Sequence, residues 1–307
     1  MGEFDKTLGT LLVGIFFNTY LYGLVSYQFA AYHRTEFNDR PAVKFMVLFL
    51  FLLDTFHSAS VIYMAWVYVV TNYNNPSALQ VAEWPYTFTP IGTATTALVT
   101  QIFLGYRIWC LSGNIVFYAI VIAMAIPSFA LGMACGIKAW IIKVLGDLPR
   151  INNLVIAWLA MQVIVDTFIT VTLIIILLRS KTGYRKTDTV LNRIIHGAVR
   201  TGLFAGIFSM GDLISFLALP TTNFYGMFAI PIGRIYTNTL LDTLLARERL
   251  KEQMLGTYDG KSMNNSINWA PSNASQNPTS FQLEVRKTVQ EHTDSTSFDG
   301  DGKAMVL

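Results

Sequence analysis

A few polar and ionisable side chains interrupt otherwise apolar runs in this sequence: Asp54, His57, Asp166, Arg200, Arg234 and Asn238. An ionisable group at the centre of a bilayer costs about 2.5–3.5 kcal/mol on insertion scales, so it normally faces a bundle interior and finds a partner there. Asp54 and His57 share a helix face by their i,i+3 spacing. Asp54 falls about 18 Å into its span and Arg234 about 17 Å into its own, at 1.5 Å rise per residue, so the two share the mid-plane. The expected arrangement is an Asp54–Arg234 ion pair with His57 beside it and Asn238 one turn along the Arg234 helix. Such a polar centre has two uses. It can bind a small ligand or pass a proton, or it can simply hold helices in register. Asp166 and Arg200 are expected to form a second intramembrane pair nearer one surface, while Asp212 has no evident partner. Asn18 and Gln101 are placed to add hydrogen bonds between helices.

These residues sit in a chain of 307 residues that is 53% hydrophobic and only 13% charged. Soluble domains carry roughly 25% charged residues, so an ordinary cytosolic enzyme is excluded and an integral membrane protein is expected. Crossing a hydrocarbon core of about 30 Å takes about 20 apolar residues. Seven segments have that length, at about 8–32, 42–70, 86–111, 114–137, 152–179, 191–219 and 223–246. The first lacks a basic leader and a small-residue cleavage pattern, so it is expected to persist as a span. The fold class expected is therefore all-α, a bundle of seven transmembrane helices over 1–250.

Basic residues in the connections set the direction. Arg34, Arg40, Lys44, Arg107, Arg179, Lys181, Arg185, Lys186, Arg193, Arg247, Arg249 and Lys251 fall on one side, against Lys6, Lys138, Lys143 and Arg150 on the other. The amino terminus is thus expected outside and the carboxy terminus in the cytoplasm. Residues 251–307, rich in Ser, Thr, Asn, Gln and Gly, are expected to be a disordered polar tail. Trp84 and Trp140 are expected to mark the exterior interface, and Gly132-x-x-x-Gly136 and Gly202-x-x-x-Gly206 to allow close helix packing.

The segment 191–250, with Arg193, Gly202, Asp212, Pro220, Tyr236, Asn238, Leu240, Leu241 and Arg247, resembles a family of fungal, mainly basidiomycete, multi-pass membrane proteins catalogued as a domain of unknown function. LLDTFH at 52–57 and GYRIWCLS at 105–112 resemble the companion half of those proteins. The resemblance implies seven helices and names no ligand.

No catalytic signature is present: there is no H-E-x-x-H, no G-x-S-x-G and no phosphate-binding Gly-rich loop with Lys. One His and one carboxylate at 54–57 are too few for a metal or general-base site, and the lone Cys110 and Cys135 offer neither a disulfide framework nor a metal site. No catalytic residue, metal or cofactor is expected, and nothing points to nucleic acid. Seven spans, an outer amino terminus and a basic connection at 179–193 are similar in outline to a G-protein-coupled receptor, with that connection as the place for a cytoplasmic signalling partner. The motifs depart from that family: no acid precedes Arg107, span seven lacks Asn-Pro-x-x-Tyr, and it offers no Lys for a retinal Schiff base. The reading adopted is a receptor-like sensor of an unknown small ligand, located in the plasma membrane. The alternative is a small-solute or proton-coupled transporter, for which LFLFLLDTF at 48–56 and LFAGIFSMGDLISF at 203–216 would be equivalent parts of two parallel repeats.

Overall fold

The computed structural model describes residues 4–35, 39–73, 75, 78–79, 81–143, 147, 150–179, 185–219 and 222–255, apart from the side chains of 185–196, 198–201, 203 and 248–255. The side chain of Arg200, most of the 179–193 connection and the tail expected beyond 251, save the backbone of 251–255, lie outside the described residues. Seven α-helices are described: α1 (Thr10–Arg34), α2 (Pro41–Trp66), α3 (Trp84–Ser112), α4 (Ile115–Ile142), α5 (Asn152–Arg179), α6 (Arg185–Ala218) and α7 (Phe224–Leu255). A π-helical turn, Asp5–Gly9, leads into α1, and a second, Val67–Thr71, extends α2.

Local chemistry sets the ends. Pro41 and Pro85 occupy the first turns of α2 and α3, where a missing N–H costs nothing. Gly113 closes α3 in the left-handed region at φ 68°, and Asn114 opens α4 by accepting the Val116 N–H at 2.9 Å. This stop and start fold α3 and α4 back on each other with almost no connection. Their packing then needs glycine. A Cβ on Gly136 would lie 2.3 Å from Ile91, and one on Gly132 would lie 2.6 Å from Ala94. The Gly132-x-x-x-Gly136 face is therefore a contact within the bundle.

The helices form a ring in chain order, closed by α7 against α1, with α3 reaching across to α5 and α7. Among the described residues, four stretches, Asp5–Arg34, Pro41–Thr71, Ile115–Ile142 and Asn152–Arg179, are long and apolar enough to cross a membrane. Large apolar side chains such as Phe16, Phe45, Leu52, Ile141 and Ile164 are exposed on the outside of the bundle, a surface suited to lipid rather than water. Burial explains why α3 and α7 have a more polar composition. Every residue from Ile230 to Thr237 is buried. On α3, Thr87, Thr89, Thr93, Thr96 and Thr100 are buried, several with hydroxyls bonded back to carbonyls of the preceding turn. A helix enclosed by protein has little surface to match to lipid.

Helix α4 runs to Ile142 rather than ending near 137, and two further boundaries differ from the sequence expectation. Helix α6 begins at Arg185, inside the segment read as an inner connection, and α7 continues to Leu255, into the segment read as tail. The sequence RERLKEQML is rich in strong helix formers, so helicity continues after hydropathy has ended.

Candidate functional site

Among the described residues, three buried polar regions lie within the bundle. The first is centred on Arg234 of α7, whose side chain is only 3% exposed. Its Nε donates to Asp54 Oδ1 on α2 at 3.2 Å, and one terminal nitrogen donates to Asn18 Oδ1 on α1 at 3.1 Å. The same nitrogen lies 2.6 Å from His57 Nδ1. A guanidinium only donates, so His57 Nδ1 must accept, which leaves Nε2–H to donate to the Thr89 hydroxyl of α3 at 3.1 Å. The Thr89 hydroxyl in turn donates to the Pro85 carbonyl at 2.9 Å. Arg234 thus joins α1, α2 and α7 directly and α3 through His57. Asp54 Oδ2 has no hydrogen-bond partner among the described residues; the neighbouring Thr237 hydroxyl bonds instead to the Gly233 carbonyl at 3.4 Å. Asn238 does not join the centre. Its amide donates to the Arg234 backbone carbonyl at 2.8 Å, within its own helix.

The second region surrounds Asp166 of α5. Gln101 Nε2 of α3 donates to Oδ1 at 3.0 Å, and the Tyr236 hydroxyl of α7 donates to Oδ2. Gln162 donates to the Tyr236 oxygen at 2.7 Å and accepts from Ser128 of α4 at 3.1 Å. The pairing expected with Arg200 lies outside the described side chains; the donors described at Asp166 are neutral. Sequence reasoning misses Tyr236 as a polar partner, because a tyrosine in an apolar run reads as packing until its hydroxyl is placed.

The third region is a cavity of about 620 Å³. It lies at the end of the bundle where α1, α3 and α7 begin and α4 ends, and its wall is mainly aliphatic and aromatic, with Tyr68, Tyr86, Trp158, Phe216 and Tyr225. Its polar lining includes Thr89, Thr93, Gln162, Ser209 and Asp212. Asp212 is 4% exposed and makes no hydrogen bond or ion pair with any described residue. The Tyr86 and Tyr225 hydroxyls hydrogen-bond to each other close by, and Phe216 meets Tyr225 edge to face at 5.4 Å. Asp54, His57 and Arg234 do not line this cavity; Thr89 belongs both to its wall and to the His57 hydrogen bond. Gln162 similarly borders both the cavity and the Asp166 cluster. The threonine-rich run of α3 is the sequence signal for this shared wall. Trp84 and Trp140 are exposed at the same end as the cavity.

At the opposite end, Arg247 of α7 grips Asp39 with two hydrogen bonds of 3.0 and 2.8 Å, and the Tyr32 hydroxyl of α1 adds a third at 2.9 Å. Burial works against the Asp39 carboxylate, but these bonds outweigh it and hold its pKa below the usual value. Arg107 of α3 donates to the Thr243 hydroxyl of α7 at 3.3 Å. Among the described residues, no group of three or more His, Cys, Asp or Glu side chains is placed to hold a metal ion.

The fold and its apolar surface are those of a helical bundle compatible with an integral membrane protein. Residues 162–249, from α5 into α7, are similar to a family of unknown function (DUF6534). No characterised protein and no solved structure shows significant similarity to the chain. The matched segment includes Gln162, Asp166, Ser209, Asp212, Arg234 and Tyr236, and so contributes to all three polar regions.

Proposed function

We propose that the chain is a seven-span protein of the plasma membrane, amino terminus outside, that senses a small ligand in the cavity bordered by Asp212. The observation that carries this reading is Thr89, which lines the cavity and whose hydroxyl is bonded to His57 of the Arg234 network. A ligand that moves the wall of α3 perturbs that bond. Because α7 carries both Arg234 and Arg247, the disturbance has a continuous helix along which to reach the Asp39 contact at the far end. The Asp54, His57 and Arg234 centre is then the junction of the relay rather than the ligand contact. A partner at the 179–193 connection would read the far end.

The two native cysteines supply the test. Cys135 lines the cavity, and Cys110 is exposed near the other end of α3. In Cys135→Ala protein reconstituted in nanodiscs, an environment-sensitive fluorophore on Cys110 should respond to members of a panel of small amines, acids and alcohols. The same compounds should protect Cys135 from a thiol reagent in Cys110→Ser protein. Thr89→Val should abolish the fluorescence response while leaving protection intact. Protection without any response at Cys110, together with flux of the protecting compound into liposomes, would replace the sensor by the transporter. Orientation is tested separately by tagging Gln80 and Gly260. An impermeant reagent should reach only the former in intact cells.

A further inference from the structure

We infer that the cavity takes an organic cation, a protonated or quaternary amine carrying an apolar or aromatic body, with Asp212 as its counter-ion. This rests on the cavity being the ligand site and names the class of ligand.

Three buried acids can be compared inside the bundle. Asp54 is held by a guanidinium, and Asp166 receives donors on both oxygens. Asp212 is as deeply buried as these, yet none of the described residues donates to it, and it borders the cavity. A desolvated carboxylate without a partner is unfavourable, so a cation entering the cavity gains more there than at any solvated site.

The rest of the wall defines what kind of cation fits. It contains no Lys, Arg or His among the described lining residues, so nothing in it repels positive charge. A divalent metal cation would need several charged oxygens to replace its water shell, and no group of three or more His, Cys, Asp or Glu side chains is placed to hold one among the described residues. Instead the aromatic rings of Tyr86, Trp158, Phe216 and Tyr225 border the same space as the carboxylate. Ring faces attract alkylated ammonium groups, which lose little hydration on entry. A volume of about 620 Å³ has room for such a head and a small apolar body.

The test compares benzyltrimethylammonium with its uncharged isostere neopentylbenzene on the full chain in nanodiscs, with binding read by saturation-transfer NMR and competition. The cation is expected to bind wild type roughly tenfold or more tighter than the isostere. Asp212→Asn should remove that advantage and Asp212→Glu should keep most of it. If cation and isostere bind wild type equally, the cavity remains a ligand site and the charge assignment is overturned. If neither binds and neither protects Cys135, the cavity reading fails as well. The wild-type comparison decides the matter even if a variant does not fold. Nanodiscs of phosphatidylcholine and of phosphatidylglycerol separate the two sources of such a cation. Weaker probe binding in the former identifies a choline headgroup as occupant, and equal binding identifies a free amine.

Discussion

Asp54 and Asp212 carry the same side chain into the interior of the same bundle, and both are almost completely buried. At Asp54 the protein supplies the compensation itself, through Arg234, and the resulting net-neutral pair is further tied to Asn18 and His57. At Asp212 the carboxylate borders a cavity and no described side chain answers it. The difference separates two kinds of buried charge. One is spent on joining helices, and the other is left available to something from outside. Depth and residue type alone do not distinguish them; the neighbouring helices do.

The largest expected effect comes from breaking the satisfied site. Arg234→Met strands Asp54 and should destabilise the protein by about 3–5 kcal/mol, the usual cost of leaving one half of a buried pair. Adding Asp54→Asn should recover much of that loss. A double-mutant cycle by thermal unfolding in nanodiscs measures it, and strict additivity of the two changes would contradict the pair.

The Asp166 cluster should fall between the two extremes, because its donors are neutral. Tyr236→Phe removes one hydroxyl and should cost about 0.6–1.7 kcal/mol, the range of hydrogen bonds between membrane helices. A loss as large as that of Arg234→Met would mean that Asp166 depends on Tyr236 as heavily as Asp54 depends on its arginine.

The Asp39–Arg247 contact is half exposed on the arginine side, where solvent screening discounts it. Asp39→Asn should cost about 0.2–1 kcal/mol and less in high salt. The carboxyl of Asp39 is depressed in the folded protein, so its contribution is complete above the ordinary carboxylate pKa and is lost as pH falls through the lower, folded value. Unfolding of wild type and Asp39→Asn should therefore converge in strong acid and differ by a constant amount between about pH 5 and 7. A difference that grows across that neutral range would rule this linkage out.

The smallest effect is expected at Asp212. Asp212→Asn removes a charge that nothing in the described protein compensates, so stability should stay within about 0.5 kcal/mol of wild type or rise. If it falls as far as in Asp54→Asn, Asp212 has a protein partner and the contrast between the two aspartates disappears.

Much of this was legible in the sequence. Long apolar runs specify helices and most of their limits, because backbone hydrogen bonds within a helix are local. The depths of Asp54, His57 and Arg234 followed from the same 1.5 Å rise, which is why their proximity was expected. Where helicity and hydropathy part company, at Arg185 and beyond Ala246, apolar runs no longer report where a helix begins or ends.

What only the tertiary structure decided is which side chains answer one another across helices. Rotation of a helix about its axis is set by packing, and a turn of about 100° per residue moves a side chain from one neighbour to another. Hence Asn238 bonds within α7 rather than joining Arg234 and Asp54, and Asp166 meets Gln101 and Tyr236. The cavity is likewise a property of several helix ends at once, with Tyr86, Trp158, Asp212 and Tyr225 drawn from α3, α5, α6 and α7. No local spacing relates those residues, so the sequence could present Asp212 only as a charge without a partner.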